Sequence, residues 1–302
     1  MAYQLALGQP LSAEVRRVAL EQIDDAMARL AGASNGDDPE VAVHEARKSC
    51  KKGRALLRLV RGALPKTVYR AGNEALRDAA RRAGGLRDAT ALLETFDKVV
   101  ADEGPEFDRS AVEPVRAALA ERRPDFDGDG PAAVVAEFRV ALAGAREILA
   151  GLALSAEGPD AVADGFVRTY RRGRAAMAEA YADPSPEAFH EWRKRVKYHT
   201  YHLRLLRKVW PPVFKARFDE AKQLGRVLGD EHDLAELRAR LAEPAFACDP
   251  HAAAAATALI DRHRTRLQAE ARPLGERLFA DKPKRLTARL HDYWAAAEAE
   301  AA

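Results

Sequence analysis

The 302 residues of this chain suffice for one large domain or two of about 150 residues, and a hydrophobic content of 47% is ordinary for a folded protein. The two cysteines, Cys50 and Cys248, form no CxxC pair, which argues against a disulfide framework or a zinc knuckle and fits a reducing compartment. The sequence shows neither a secretory signal peptide nor an apolar run long enough for a transmembrane helix. We therefore expect a cytoplasmic protein without a membrane span.

The residue usage favours helices throughout the chain. Ala, Arg, Leu and Glu, which are strong helix formers, are abundant, and no alternating Val/Ile/Thr/Tyr pattern indicates strands. The first four helices are expected over residues 12–31 with Ser12 as N-cap, 39–62 with Asp38 as N-cap, 65–84, and through Leu92, Phe96 and Val99. We expect these four helices to form one unit, followed by a helical pair over residues 107–123 and 131–150.

The second half of the chain repeats this plan. Helices are expected from Pro159 through Tyr181, from Pro186 to Pro211 with Ser185 as N-cap, over 213–228, over 234–243, over 252–271 and over 283–294. A break is expected at Gly229, and Asp88 and Asp233 are expected to be N-caps of the helices that follow them. The predicted fold is all-α, with two four-helix bundles and the additional helical pair between them. Residues 10–150 form the first repeat and 151–302 the second.

A basic helix that begins His-Glu-x-Arg-Lys occurs twice, at residues 43–61 and 189–207. A shift of 146 residues superposes His44 on His190, Arg47 on Arg193, Lys48 on Lys194, Lys51 on Lys197, Arg58 on Arg204 and Arg61 on Arg207. Residues 44–61 and 190–208 each have a net charge of +6, while the whole chain has only +3, so the remainder carries −9. Positive charge concentrated on two segments of an otherwise acidic chain predicts an anionic partner bound at a defined place.

In each repeat the cations lie on one face of the predicted helix. In the first copy, spacings of 3, 4, 3, 4 and 3 draw a stripe about 25 Å long through His44, Arg47, Lys51, Arg54, Arg58 and Arg61. In the second copy Thr200 stands where the first has Arg54. The opposite face is predicted to be core, with Ala46, Cys50, Leu57, Val60 and Leu64 in one copy and Trp192, Val196, Leu203, Leu206 and Trp210 in the other. A solvated helix face usually intersperses Glu with Lys, so a stripe of one sign favours an anion-binding role.

The neighbouring helices add further cations. Arg70, Arg77 and Arg81 share one face of the third helix, and Lys215, Lys222 and Arg226 are their counterparts. The first helix of the second repeat adds Arg168, Arg171, Arg172 and Arg174. If the second and third helices pack antiparallel, each repeat presents two adjacent basic rows. Lys and Arg are suited to phosphate oxygens, so the natural ligand of such rows is a linear polyanion with regularly spaced phosphates.

Two interpretations of His44 and His190 stay open. Either each histidine packs at its helix start, with a hydrogen bond to a carboxylate such as Asp88 or Asp233, or each donates to a phosphate. We expect His199 to be a core histidine, and His202 belongs to no recognisable pattern. No HExxH motif and no His/Cys/Asp cluster with zinc spacing occurs, so we predict neither a metal nor another cofactor.

The doubled His-x-x-Arg-Lys/Arg-x-x-Lys-x-x-Arg helix, with a doubled Leu/Gly-x-x-Asp segment, resembles the CHAD family, the conserved histidine α-helical domain, over about residues 10 to 300. The resemblance implies two four-helix bundles related by pseudo-two-fold symmetry around a basic pore or groove. It also implies non-catalytic binding of inorganic polyphosphate, and some members of the family target polyphosphate granules. The acidic ExExK signature of a triphosphatase domain attached to many relatives is absent, so that activity is not inferred.

Carried over by position, the resemblance implies phosphate contacts at His44, Arg47, Lys51, Arg54, Arg58, Arg77 and Arg81, and at His190, Arg193, Lys197, Arg204, Lys222 and Arg226. Our predicted polyphosphate-binding set adds Lys48, Lys194 and Arg207. The partner is inorganic polyphosphate or another polyanion, and the protein is predicted not to be an enzyme.

Three alternative functions remain. A histidine phosphotransfer protein would explain the His-Glu-x-Arg start, but the expected Pro and an ATP-binding Gly-rich segment are missing. The lack of stacking aromatics in the first motif helix argues against a nucleic-acid-binding module. A phosphatase or kinase acting on polyphosphate would need a P-loop or a carboxylate set for magnesium, and neither is apparent.

Overall fold

A computed structural model describes residues 3–33, 36–83, 88–121 and 130–301, and these residues form helices without a strand. The helices are α1 Leu11–Ala33, α2 Pro39–Leu59, α3 Lys66–Arg82, α4 Asp88–Ala101, α5 Glu113–Glu121, α6 Gly130–Ala150, α7 Gly158–Ala182, α8 Pro186–Leu205, α9 Pro211–Leu241, α10 Pro250–Leu278 and α11 Pro283–Ala301. Short 3-10 turns occupy Arg61–Ala63 and Arg109–Val112. The predicted all-α fold is confirmed.

The first bundle consists of α1, α2, α3 and α6. The prediction that the helix through Phe96 and Val99 completes this bundle is wrong. That helix, α4, instead packs on α9 and α10, where Phe96 and Val99 share a second hydrophobic core with Leu234 and Leu237. The fourth position of the first bundle is instead occupied by α6, whose Phe138 is fully buried in the main core. The helical pair expected between the bundles is therefore split, because α6 joins the first bundle and α5 joins the second core.

The second bundle consists of α7, α8, α9 and α10, with α11 packed along α7. The predicted break at Gly229 is wrong, since α9 continues through it to Leu241. Leu228 and Leu234 are buried on either side of the glycine, and this burial outweighs the cost of about 1 kcal/mol for one glycine inside a helix. Asp233 consequently lies inside α9, so it is not an N-cap. The Asp88 side chain and residues 122–129, which connect the two helices of the expected pair, lie outside the described residues.

Side-chain caps begin both motif helices as predicted. Asp38 Oδ1 accepts hydrogen bonds from the backbone N–H groups of Glu40 at 2.8 Å and Val41 at 3.5 Å. Ser185 Oγ accepts one from Ala188 N at 3.2 Å, and a proline follows each cap. Ser12 does not cap α1, which starts one residue earlier at Leu11. Its hydroxyl instead accepts from Leu154 N at 3.1 Å and so ties α1 to the segment before α7.

The apolar faces of α2 and α8 lie in one continuous core, which confirms the predicted core stripe with one exception. The fully or nearly fully buried members are Ala46, Cys50, Leu57, Val60 and Leu64 in the first copy and Trp192, Val196, Leu203 and Leu206 in the second. Trp210 is the exception, because 43% of it is exposed where it stands edge-on to Tyr293. The cationic faces of both helices are therefore fixed to a common scaffold.

Two close contacts hold α2 against neighbouring helices, one to α8 and one to α7. The buried His202 of α8 donates from Nε2 to the carbonyl oxygen of Ala55 in α2 at 2.9 Å. Burial lowers the pKa of His202 to about 3, so this imidazole is a neutral donor. Gly165 of α7 meets the end of α2 backbone to backbone, and a Cβ added there would overlap the carbonyl oxygens of Leu59 and Arg58.

Replacing Gly165 with Ala is expected to lower the free energy of unfolding by about 1–3 kcal/mol, because backbone atoms must move to admit the methyl group. The matched control is Gly144→Ala in α6, where a Cβ meets nothing within 4 Å. That control should gain up to about 1 kcal/mol from higher helix propensity. Denaturant unfolding followed by circular dichroism measures both, and equal stability of the two variants would contradict the close approach of α7 to α2.

Candidate functional site

Helices α2 and α3 are antiparallel, as the prediction of two adjacent basic rows requires. Arg47 at the start of α2 donates from Nη1 to the carbonyl oxygen of Ala83, just after α3, at 3.2 Å. Further along, Arg54 donates from Nε to Asn73 Oδ1 at 3.2 Å. The α3 row itself faces solvent, since Arg77 forms an ion pair of 2.8 Å with Asp78 and Arg81 is exposed. Arg47 and Arg54 are thus aligned by α3, whereas Arg77 is already paired with a carboxylate.

The second copy repeats this pairing with one difference at Arg193. Arg193 lies beside Gly229, and these two residues are related to Arg47 and Ala83 by the same 146-residue shift. Because α9 continues where α3 ends, no free helix-end carbonyl faces Arg193 in this copy. In the described part of the chain, the buried Nε of Arg193 has no hydrogen-bond partner. A buried guanidinium N–H group without a partner is suited to donate a hydrogen bond to a bound anion.

The cationic stripes of α2 and α8 meet where the two helices contact each other. The guanidinium carbon of Arg58 lies 4.2 Å from the ring centroid of Tyr198, so a cation–π contact crosses between the helices. Lys51, near the middle of α2, experiences the charges of Arg193 and Lys197 on α8 as well as those of its own helix. The two stripes that the sequence placed 146 residues apart therefore form one site.

A cavity of about 250 Å³ opens at this junction and is lined almost entirely by cations. Its charged lining comprises Arg54, Arg58, Arg61, Arg168, Arg172, Lys194 and Arg195, and its other lining residues are Tyr69, Thr169 and Tyr198. None of these described lining residues is an Asp or a Glu. Glu191, outside the lining, pairs with Lys194 at 2.7 Å and also with Arg195, which leaves the five remaining arginines without an ion pair in the described chain.

Desolvation and nearby cations lower the pKa values of two lysines, one on each motif helix. Desolvation, together with Arg47 and Arg193, lowers the pKa of Lys51 to about 8. Although solvent reaches the Lys51 side chain, the protein around it removes much of the water that would stabilise an ammonium group. Desolvation and Arg193 also lower the pKa of Lys197, but Asp233 opposes that shift. An anion bound between these helices would relieve the repulsion at both positions.

His190 pairs with another histidine and not with a carboxylate. The Nδ1 atoms of His190 and His232 are 3.1 Å apart, so one imidazole donates and the other accepts. Desolvation and Arg193 lower the pKa of His190 and lower that of His232 to about 3. The expected hydrogen bond to Asp233 is therefore replaced by one to its neighbour in α9. His44, the counterpart in α2, is half-buried beside Glu45.

The two other histidines of α8 are buried. His199 is fully buried as predicted and stacks on Phe166 at a centroid distance of 5.3 Å. His202, which the sequence left without an assignment, joins α8 to α2 through Ala55. Both serve the scaffold and lie away from the cationic cavity lining.

Two of the other predicted residues are paired with acids. Lys48 pairs with Glu45 at 2.6 Å, and Arg226 pairs with Asp230 at 3.3 Å and with Glu270 at 3.5 Å. Arg226 belongs to a separate cavity of about 720 Å³ between α4, α9 and α10 that contains acids as well as bases. Arg207 and Lys222 lie near Asp219 of α9, whereas Arg204 lies near Tyr201 of its own helix and near Tyr3 and Lys52 of the first half of the chain.

Four cationic cavity residues were not in the predicted binding set, namely Arg61, Arg168, Arg172 and Arg195. Arg61 was the last member of the predicted stripe in the first copy, and Arg168 and Arg172 were recognised as basic residues on the helix before the second motif. Arg195 has Ser49 as its counterpart, so the repeat pattern does not point to it. Tyr198 replaces Lys52 in the repeat, and its contact with Arg58 depends on how α2 crosses α8.

In the described residues, no group of three or more His, Cys, Asp or Glu side chains is arranged to hold a metal ion. Nor does any described helix combine the length and the apolar character needed to cross a membrane. The arrangement is thus an all-α protein with a basic site between two repeated helices.

The family model of the CHAD domain matches residues 17–242, which is well over half of the chain. The chain therefore belongs to the CHAD domain family. This family is associated with polyphosphate, so membership supports a polyphosphate-related role. No curated protein gave a significant match to the sequence.

Two solved structures are similar to this chain. PptA from Streptomyces chartreusis has 15% sequence identity and a TM-score of 0.57, with 90% of this chain and 100% of that chain covered. The CHAD domain from the plant Ricinus communis has 18% identity and a TM-score of 0.49, with 96% and 93% covered. At such identities the likeness to PptA shows the fold alone.

The His190–His232 pair makes a prediction about acid stability. With the pKa of His232 at about 3 in the folded protein and near 6.5 in the unfolded chain, the unfolded state binds more protons below pH 6.5. Stability that is present above pH 6.5 is then lost as the pH falls toward 3. In the His232→Gln variant, the unfolding free energy should decrease less steeply with falling pH between pH 6.5 and 4. The difference in slope corresponds to at most one bound proton. Denaturant titrations across this range measure the slope, and an unchanged slope would show that His232 is not held neutral.

Proposed function

We propose that this protein is a non-catalytic binder of inorganic polyphosphate, which it holds between α2 and α8. The observation that carries the proposal is the cavity lined by seven Lys and Arg residues and no acid among its described lining residues. Such a set of like charges costs stability unless an anion neutralises it. The continuation of the cations through Lys51 to Arg47 and Arg193 favours a linear polyanion over a single small anion.

The chemistry of the donors favours phosphate. Arginine presents a planar fork of N–H groups that matches two oxygens of one phosphate, and five arginines in this cavity lack an ion pair in the described chain. Cation–π contacts hold Arg58 over Tyr198 and Arg61 over Tyr69, at 4.2 and 4.8 Å from the ring centroids. These contacts orient two guanidinium groups in advance, which lowers the entropic cost of binding.

The alternatives receive less support from the site. Nucleic acid would gain from aromatic faces that stack on bases, but Tyr69 and Tyr198 each already carry an arginine over one face. A phosphotransfer role for His190 conflicts with its Nδ1 contact to His232 and with the cations around it. Turnover of polyphosphate would call for carboxylates that hold magnesium, and the cavity lining offers none in the described residues.

We further propose that this binding recruits the protein to polyphosphate granules.

The double variant Arg54→Gln/Arg58→Gln should bind long-chain polyphosphate about tenfold or more weakly at low salt, because two phosphate contacts are lost. A plot of the logarithm of the association constant against the logarithm of salt concentration has a negative slope. The magnitude of that slope should become smaller by up to about two, one for each counterion that is no longer released. The matched control is Arg139→Gln/Arg285→Gln, which removes two exposed arginines elsewhere. Fluorescence titration at two salt concentrations measures both. Equal losses in the two double variants would mean that binding follows net charge and not this site.

A competition titration separates polyphosphate from nucleic acid. Labelled long-chain polyphosphate is displaced with unlabelled polyphosphate, single-stranded DNA and duplex DNA at equal phosphate concentration. We expect displacement by polyphosphate at the lowest concentrations. Displacement by either nucleic acid at equal or lower concentration would overturn the assignment of polyphosphate as the ligand class.

Affinity for polyphosphate should fall as the pH rises from 7 to 9. The pKa of Lys51 is about 8, so its ammonium charge is present below this pH and is lost above it. Replacing Lys51 with Arg keeps the charge at all these pH values and should flatten this part of the profile. Dissociation constants at constant ionic strength measure the effect, and a decline of equal size in the Lys51→Arg variant would assign the pH dependence to another group.

A further inference from the structure

The cationic cavity lies at one end of the row of charges between α2 and α8, not at its middle. That row begins at Arg47 and Arg193, passes Lys51 and reaches the cavity. The seven cations of the cavity lining come from three helices, with Arg54, Arg58 and Arg61 on α2, Arg168 and Arg172 on α7, and Lys194 and Arg195 on α8. Cations that converge from three helices can contact one phosphate together, whereas cations along one helix contact successive phosphates.

Helix α7 closes this end of the row. A Cβ added at Gly165 of α7 would overlap the backbone carbonyl oxygens at the end of α2. The turn that follows α2 packs on the same helix, and a Cβ added at its Gly62 would lie 3.2 Å from Cβ and 3.3 Å from Oδ2 of Asp164. A polyanion that followed α2 past Arg61 would therefore meet the α7 backbone and a carboxylate. A chain that lies along the row thus ends at the cavity.

The cations of α7 and α8 act on each other across the cavity. Desolvation and Arg195 lower the pKa of Arg172, Arg168 and Arg61 add to this shift, and Glu191 opposes it. The guanidinium groups nevertheless stay charged at physiological pH. Because several permanent cations repel one another here, the cavity gains most from an anion that carries more than one charge.

Among the described residues, the first repeat has no counterpart of this convergence. A shift of 146 residues places buried residues of the first repeat against three cavity cations, namely Gln22 against Arg168, Ala26 against Arg172 and Ser49 against Arg195. The two ends of the row therefore differ. A linear ligand bound along it has a defined direction, with one of its ends at the cavity.

The phosphates of a linear polyphosphate are not chemically equal. An internal phosphate has two bridging oxygens, and its two free oxygens share a single negative charge. A terminal phosphate has one bridging oxygen and three free oxygens, and like a phosphate monoester it gains a second charge as the pH rises through about 6. The terminal group thus offers more charge and more acceptor oxygens than any internal group, and the cavity offers the densest set of donors.

We propose that the cavity binds the terminal phosphate of a linear polyphosphate, while the phosphates that follow lie along the row toward Arg47 and Arg193. This inference rests on the proposed function, because it concerns the same ligand at the same site. It adds a specificity, since the protein then recognises the end of a chain and not phosphate density alone. Cyclic phosphates, which have no end, lack the group that the cavity fits.

The test compares linear and cyclic phosphates on the full chain. Linear tripolyphosphate has a terminal phosphate at each end, while cyclic hexametaphosphate has none but carries more phosphates in total. Isothermal titration calorimetry measures both dissociation constants at one ionic strength, without divalent cations, at about pH 7.5, where terminal groups carry their second charge. A third titration with long-chain polyphosphate tests the proposed function separately.

We expect tripolyphosphate to bind about tenfold more tightly than the ring, which is the effect of roughly one additional charge-assisted hydrogen bond. The number of phosphates favours the ring, so this order follows from the terminal groups and not from total charge. Equal or tighter binding of the ring would overturn the recognition of a terminus.

A double variant locates the effect. Arg168→Gln/Arg172→Gln removes the two cavity cations of α7 and keeps those of the row on α2, so the preference for tripolyphosphate should disappear. The matched control Arg171→Gln/Arg174→Gln removes two exposed arginines of the same helix that do not line the cavity, and it should keep the preference. Because each variant is compared on two ligands, a general loss of stability affects both alike.

The remaining outcomes separate this inference from the proposed function. A preference for tripolyphosphate that survives in Arg168→Gln/Arg172→Gln would contradict the cavity as the terminal site. Binding of long-chain polyphosphate without binding of either short ligand would contradict it as well, and the proposed function would stand. If tripolyphosphate shows the expected preference but long-chain polyphosphate does not bind, the terminal-phosphate site stands and the polyphosphate-binding proposal fails.

Discussion

The repulsion between two rows of cations that face each other across α2 and α8 is the constraint on which the rest of the structure depends. Like charges at close range oppose folding, and at Lys51 they add to desolvation, the larger cause, in lowering the pKa of its ammonium group. The opposing stabilisation comes from the other faces of the same helices, where residues such as Leu57 and Trp192 are fully buried in one core. The protein thus holds a charged site open by attaching it to an apolar scaffold.

Direct contacts between the helices keep this arrangement rigid. His202 bonds to the backbone of α2, and Gly165 lets α7 press against the end of that helix. Arg58 rests on Tyr198 across the junction. Because these groups are held before any ligand arrives, a polyanion gains its contacts without ordering the site first. In the proposed complex, the bound anion and the scaffold stabilise the same geometry.

The two repeats are alike in sequence but not equivalent in structure. In the first copy α3 ends at Arg82, and Arg47 donates to the carbonyl that follows. In the second copy α9 continues, and Arg193 is left with a buried nitrogen that has no partner among the described residues. Lys51 and Lys197 differ similarly, because carboxylates act on the second but not prominently on the first. The site is therefore asymmetric, although it is built from a repeated helix.

The sequence predicted what depends on local rules. The caps Asp38 and Ser185, the core stripe and the cationic stripe follow from residue type and helical spacing, and the structure contains them. It could not predict which helix completes the first bundle, since α4 and α6 both have an apolar face and only long-range packing chooses between them. The break expected at Gly229 failed because burial of its neighbours outweighed the local propensity of glycine. Arg195 enters the cavity through the crossing of α8 with α2, which no spacing within one helix reveals.

The central claim is that one polyphosphate chain contacts both motif helices at once. A crystal structure of the protein with a linear polyphosphate of defined length tests this claim most directly. The account predicts phosphate groups between α2 and α8, with oxygens within hydrogen-bond distance of Arg54 or Arg58 on one helix and of Arg193 on the other. Phosphate groups bound only on outer surfaces, with the cavity at this junction unoccupied by ligand, would contradict it.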